Sequence, residues 1–183
     1  MNQKILVTGG NGLVGTAMRS VCTARSNEEF IFIGSKDCDL TKNSAFQELV
    51  QKHSPTAIIH LAAVSGGVGL SMKHPATLLR DNVLMNLNVL EAARICGVSK
   101  TIMTLSSGMY PANAKMPLLE KYIHDGYPHE SNYGYAFAKR LVDPCIRAYR
   151  AEFKMNIIGL VPNGIFGENG DFSTNNAVFI DAL

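Results

Sequence analysis

The sequence predicts a Rossmann-like, doubly wound α/β fold with a parallel sheet, on three observations. Short β-branched runs alternate with longer helical patterns along the chain. A glycine-rich turn, Thr8 to Gly15, stands between the first strand-like run and the first helical one. Loops leave the carboxyl ends of the strand-like runs at Thr8-Gly9, Gly34-Ser35, Leu61-Ala62, Ser106-Ser107 and Pro162-Asn163. That edge is where open α/β sheets bind ligands.

Taken in order, the first strand is Lys4 to Val7, and a helix follows through Leu13, Ala17, Met18 and Val21. A second strand, Phe30 to Ile33, leads through Cys38-Asp39-Leu40 into a helix near Ser44 to His53. Ala57 to His60 reads as a buried strand, followed by a long helix from about Ala76 to Cys96 and a strand from Thr101 to Leu105. Between Ser107 and Asn132 the prolines Pro111, Pro117 and Pro128, with Gly126, predict a loop. A helix over Tyr133 to Phe153 and a strand over Asn156 to Val161 complete the series. Pro144 lies inside that last helix and is expected to kink or break it.

At 183 residues the chain suits one compact domain, or one plus part of a second. The boundaries read as a dinucleotide-binding domain over 1–167 and the start of a substrate-binding region over 168–183. A further strand and the rest of a substrate-covering domain are expected beyond Leu183. With 46% hydrophobic and 17% charged residues the composition is that of a globular protein. A net charge of +2, without a dense Lys/Arg stripe, argues against a nucleic-acid partner. No apolar stretch reaches the ~18 residues needed to span a bilayer, so no membrane role is expected. The apolar run Ile5-Leu6-Val7 stops too soon for a signal peptide. Cys22, Cys38, Cys96 and Cys145 are widely spaced, which reads as a cytoplasmic protein with reduced thiols. No two of the five histidines sit at ligand spacing with an acidic or cysteine partner, so no metal is expected.

The glycine loop comprises Gly9, Gly10, Asn11, Gly12, Leu13, Val14 and Gly15. Its glycines allow a tight turn and close approach of backbone to a pyrophosphate, which the helix N-terminus then faces with free N–H groups. The alternative is a purely structural turn. After the second strand, an NAD site calls for a carboxylate on the ribose 2′-hydroxyl. The sequence there is Gly34-Ser35-Lys36, with no acid until Asp37. Ser35 and Lys36 suit a 2′-phosphate, which favours NADP(H). The alternative is that Lys36 is a solvated lysine and Asp37 serves the ribose. Asp39 and Leu40 are placed beside the adenine.

Tyr135 and Lys139 stand four residues apart on a predicted helix and share a face. A phenol with an unperturbed pKa of ~10 must drop about three units, roughly 4 kcal/mol, to ionise readily near neutrality, and an ammonium beside it supplies part of that. In the reductive direction Tyr135 protonates a carbonyl oxygen as hydride arrives, and Lys139 also holds the nicotinamide ribose. Ser106, ending a strand, hydrogen-bonds the developing alkoxide. The alternative for the pair is a core tyrosine with an exposed lysine.

Together these residues resemble the extended short-chain dehydrogenase/reductases and, more narrowly, the GDP-L-fucose synthases, epimerase–reductases acting on GDP-4-keto-6-deoxy-mannose. The resemblance is carried by Lys4 to Gly15, Ser35 to Thr41, His60 to Gly67, Asn82, Asn86, Asn88, Leu105-Ser106-Ser107, Ser131 to Arg140 and Phe166-Gly167. It implies NADPH as hydride donor, a GDP-linked 4-keto-6-deoxy sugar (hexose or heptose) as substrate, and a homodimer. It further implies cofactor contacts at Leu61, Ala62, Ala63, Asn82, Leu105, Pro162, Asn163, Gly164 and Ile165. Substrate contacts follow at Ser107 and Gly108 as well as Tyr135.

The departures are informative. The family's epimerisation cysteine, two residues after the catalytic serine, is replaced by Gly108. Its histidine partner falls at Val178, with Ala177 beside it, and neither can move a proton. The family's Pro-Thr-Asn run is altered to Pro162-Asn163-Gly164. The expectation is a C4-reductase without epimerase activity. The alternatives are a bifunctional enzyme in which His124, His129 or Cys145 substitutes, and a non-catalytic NADP(H)-binding sensor.

Overall fold

The computed structural model describes residues 3–22 and 27–170. Five strands alternate with helices: β1 (Gln3–Thr8), α1 (Leu13–Cys22), β2 (Glu28–Ile33), α2 (Asn43–His53), β3 (Ala57–His60), α3 (Val68–Lys73), α4 (Pro75–Ile95), β4 (Lys100–Thr104), α5 (Tyr133–Phe153) and β5 (Ile157–Leu160). All pairings are parallel, in the order β2-β1-β3-β4-β5. Crossovers between parallel strands are right-handed. The step from β1 out to β2 therefore puts α1 on one face of the sheet. The return across β1 to β3, and the steps on to β4 and β5, put α2, α4 and α5 on the other. The packing agrees, with α4 lying between α2 and α5. The direction reverses between β1 and β3, and this opens a crevice at their carboxyl ends.

The strands alternate as the pleat requires. On the α4 side Leu6, Ile58 and Met103 are completely buried and meet Phe46 and Val50 of α2 and Val89, Leu90 and Ala92 of α4. On the α1 side cover thins along the sheet. Val7 of β1 is fully buried, whereas Ile158 and Leu160 of β5 are exposed.

Local chemistry sets the helix ends. Pro75 starts α4, where its missing N–H costs nothing. Gly97 follows α4 at a φ of 65°, the left-handed cap that suits glycine. In α5, the helix continues across Pro144, so of the expected kink or break the break does not occur. Pro144 itself is exposed, and its missing N–H leaves the carbonyl of Arg140 without its i+4 partner. The short helix α3 was not foreseen. The segment from 107 to 132 contains three single 3-10 turns, Ser107–Met109, Glu120–Tyr122 and Glu130–Asn132. Among the described residues no helix is long and apolar enough to cross a membrane.

Candidate functional site

The crevice at the switch point is a cleft of about 1210 Å³, lined by the glycine loop, the Gly34–Ser35 turn, Cys38 to Thr41, Leu61 to Gly66 and Ile165. Gly9 makes its floor. It adopts a φ of 70°, and a side chain there would strike the backbone of Ala62 within 2.7 Å. Gly15 lets α1 rest on the turn, since a Cβ there would lie 2.3 Å from the Gly9 carbonyl. Gly10 is tied to β2 by its N–H to the Ile33 carbonyl at 2.8 Å. The first turn of α1 carries no acidic residue, so nothing opposes an anion at its N-terminus.

Around the β2 end, both acids are turned inward. Asp37 accepts from the Gly34 N–H at 2.8 Å, and Asp39 accepts from the Thr41 N–H and hydroxyl at 3.0 and 2.6 Å. These bonds hold the Asp39 carboxyl below its usual range. Ser35 faces the cleft, whereas Lys36 borders a separate recess of about 440 Å³ with Ser35, Lys52 and His53. Asp39 and Leu40 line the cleft. These features fit a dinucleotide: a bare backbone floor, an unopposed helix N-terminus, and acids committed to their own turn.

Asn82 does not line the cleft. Its amide oxygen accepts from the Val64 N–H at 3.0 Å, and its nitrogen donates to Val64 and Leu78 carbonyls at 2.9 and 2.7 Å. It grips the segment that forms the wall. Leu105 is buried and bonds through its N–H to the Leu160 carbonyl at 2.7 Å. Asn163 accepts from the Ser107 hydroxyl at 2.7 Å, which ties the loop after β5 to the turn after β4.

The candidate reaction groups Ser106, Tyr135 and Lys139 come together where β4 ends and α5 begins. Ser106 Oγ accepts from the Gly108 N–H at 3.2 Å, and Ser106 lies near enough to Tyr135 to act on its phenol. Accepting there leaves the Ser106 O–H free to donate. Burial pushes the Tyr135 phenol up, and Ser106 offsets this only in part. The tyrosine therefore holds its proton, as a donor to a ketone must. The Lys139 ammonium is almost fully buried and burial lowers its pKa to about 8. It donates to the Thr104 carbonyl at 2.9 Å and stands 5.9 Å from the centre of the Tyr135 ring.

Two buried groups escaped the sequence reading. His60 ends β3 completely buried, with Nδ1 at 2.7 Å from the Thr8 hydroxyl and Nε2 at 3.1 Å from the Asn86 oxygen. Thr8 Oγ1 in turn accepts from the Ala62 N–H at 3.3 Å. The period of two from Ile58 was the available signal, because it puts His60 on the core face. Arg140 donates to the carbonyls of Met109 at 2.8 Å and Gly126 at 2.6 Å. It thereby ties α5 to the turn after Ser106 and to the end of the proline-rich excursion. Its place next to Lys139 gave no separate signal.

Of the three substitute acid/base groups, His124 pairs with Asp143 of α5 at 2.9 Å. Asp143 and Cys145 lie eight and ten residues beyond Tyr135, about 12 and 15 Å along the helix. His129 bonds to the Ser131 hydroxyl at 2.8 Å, three residues before Asn132. Val178 and Ala177 lie outside the described residues.

A model of the NAD dependent epimerase/dehydratase family matches residues 5–183. A probable GDP-L-fucose synthase from Drosophila melanogaster is 41% identical over 93% of the chain and 54% of its own length. A crystal structure of a GDP-L-fucose synthetase from Naegleria fowleri bound to NADP is similar over 100% of this chain and 60% of that one, with 34% identity and a TM-score of 0.91. A GDP-mannoheptose C4 reductase from Campylobacter jejuni with NADP bound is similar over 99% of this chain and 54% of that one, with 25% identity and a TM-score of 0.90. The chain spans about half the length of the curated relatives it matches.

Proposed function

The chain belongs to the NAD dependent epimerase/dehydratase family, and within it we propose an NADPH-dependent C4-reductase of a GDP-linked 4-keto-6-deoxy sugar that lacks epimerase activity. The observation that carries this reading is the buried Lys139 ammonium, anchored on Thr104 and 5.9 Å from the Tyr135 ring, with Ser106 beside a position 108 that has no side chain. The relatives' names supply the substrate class, and the neighbours with NADP bound support the cofactor. On this reading residues from 168 on open a substrate-binding region, and the whole protein is a homodimer.

The glycine loop and the α1 N-terminus would hold the pyrophosphate, Asp39 and Leu40 the adenosine, and Ser35 with Lys36 the 2′-phosphate. When bound, the reduced nicotinamide supplies a hydride to the ketone carbon. Ser106, its oxygen already engaged by the Gly108 N–H, directs its proton to the ketone oxygen. Tyr135 delivers the second and decisive bond, passing its proton to that oxygen as the alcohol forms. The phenolate left behind is favoured by the Lys139 charge and regains a proton from water.

Epimerisation needs an acid and a base at the carbons flanking the ketone. Gly108 offers neither, and His124 and Cys145 are anchored well along α5. The test is turnover of GDP-4-keto-6-deoxy-mannose with NADPH in deuterated water, the product being read by NMR. Reduction at C4 without deuterium at C3 or C5 is the expected result. Deuterium at either carbon overturns the loss of epimerase activity and turns attention to His129. NADPH binding without oxidation favours the sensor instead.

A further inference from the structure

Gly108 and Asn132 meet beside the catalytic serine, and neither the backbone nor the helix accounts for them. Gly108 is not among the residues with a positive φ, so its conformation does not demand glycine. Space does: a methyl carbon there would lie 3.0 Å from Asn132 Nδ2 and 3.5 Å from Ser106 Oγ. Asn132 occupies the N-cap of α5, where asparagine normally accepts from a backbone N–H in the first turn. Its side chain makes no such bond and has no hydrogen-bond partner among the described residues. The amide is half-buried, points at the bare Cα of Gly108, and leaves its bonding capacity unused next to Ser106. Half-exposed, the amide keeps water as its partner, and a substrate hydroxyl entering beside Ser106 can replace that water.

We propose that Asn132 and the bare Gly108 form a notch for the hydroxyl vicinal to the ketone, with the Asn132 amide as the specificity-determining contact. The proposal rests on the reductase reading above. Ser106 and Tyr135 fix the ketone oxygen; the Ser107 hydroxyl is engaged by Asn163, and the Asn132 amide faces Ser106 across the gap at Gly108, where the oxygen on the neighbouring carbon would fall. Gly108 is then not simply a lost acid/base position. It is the gap through which the amide reaches substrate.

The test compares kcat/KM for GDP-4-keto-6-deoxy-mannose with that for the same sugar lacking the C3 hydroxyl, in wild type, Asn132→Ala, Gly108→Ala and the double variant. Wild type is expected to prefer the hydroxylated sugar by about tenfold to a hundredfold. Asn132→Ala removes that preference by slowing only the hydroxylated sugar. Gly108→Ala, which displaces the amide, does the same, and the double variant is no worse than either single one. NADPH affinity stays at the wild-type level, and the melting temperature escapes the fall of about 2–4 °C that loss of a capping asparagine brings. Equal slowing of both sugars, or no change with either, overturns the proposal. If wild type reduces neither sugar, the reductase reading fails on its own. The notch is then read from calorimetric binding of GDP-mannose, and equal affinity of wild type and Asn132→Ala overturns it.

Discussion

Lys139 donates its buried ammonium to the carbonyl oxygen of Thr104 at 2.9 Å, so the last residue of β4 anchors the lysine paired with Tyr135. One carbonyl does not repay the loss of water around a charge, and burial lowers the lysine pKa to about 8 from 10.5. Between those two values the unfolded chain binds a proton that the folded chain releases, so folding gains stability as pH rises through that window. Below about pH 8 the penalty is present in full. Lys139→Met removes it. Urea melts at pH 7 and pH 9.5 should show the gap between wild type and variant shifting toward wild type by about 2 kcal/mol at the higher pH. Turnover of the variant falls about a hundredfold or more, measured by NADPH oxidation. A gap that does not move with pH means the ammonium is better solvated than its burial implies.

His60 is the acid-side counterpart. Desolvation, followed by the Lys139 charge, lowers its pKa to about 3 from 6.5, so the folded protein keeps it neutral. As pH falls from 6.5 toward 3 the unfolded chain takes up a proton that the native state refuses, and stability is lost through that range. At pH 4.5 the loss is about 3 kcal/mol relative to pH 7. His60→Gln is less stable than wild type at pH 7, having lost the bonds to Thr8 and Asn86, but its stability falls less between pH 7 and 4.5 by about that amount. Parallel urea melts at the two pH values decide it.

Elements bounded by strong local signals were read from the sequence to the residue. Ala57–His60 is closed by the Leu61-Ala62 loop, and Tyr133–Phe153 begins where the prolines stop. The six-residue α3 is too short to show a period, and it forms where it packs against α4, α5 and the 3-10 turn before α5. Pro144 produces no break because α5 is held along its length against α4, a tertiary support that sequence does not report. The same holds within the site. The glycine loop and the Tyr135–Lys139 spacing are local patterns, whereas the roles of Asn82, His60 and Arg140 come from partners at sequence separations of up to 52 residues.

Gly15 tests the geometry of the phosphate turn. The Gly9 carbonyl lies 2.3 Å from where a Cβ would stand, and it is backbone, so it cannot swing aside. Gly15→Ala must lift α1 from the turn, at a cost of about 1–3 kcal/mol. The free N–H groups move with the helix. NADPH affinity, followed by quenching of its fluorescence, should fall at least about tenfold, while Gly97→Ala, which meets no neighbour within 4 Å, leaves affinity unchanged.

On the proposed reading, cofactor choice turns on Lys36, because the nearby acids are already engaged. Asp37 caps the Gly34 N–H and Asp39 caps Thr41, so neither is free to take over a ribose 2′-hydroxyl without giving up its turn. Lys36 borders the recess that opens from Ser35, with Lys52 also in its lining, and stands next to Ser35 in the turn. Lys36→Glu replaces attraction by repulsion at that position. The expected result is a fall of about tenfold or more in NADPH affinity with NADH binding nearly unchanged, each followed by fluorescence titration. The NADPH term should also lose part of its salt dependence, since one screened charge contact has gone. If both cofactors weaken equally, Lys36 is supporting the turn and not reading the phosphate, and the 2′-phosphate must then be held by Ser35 with the backbone around it.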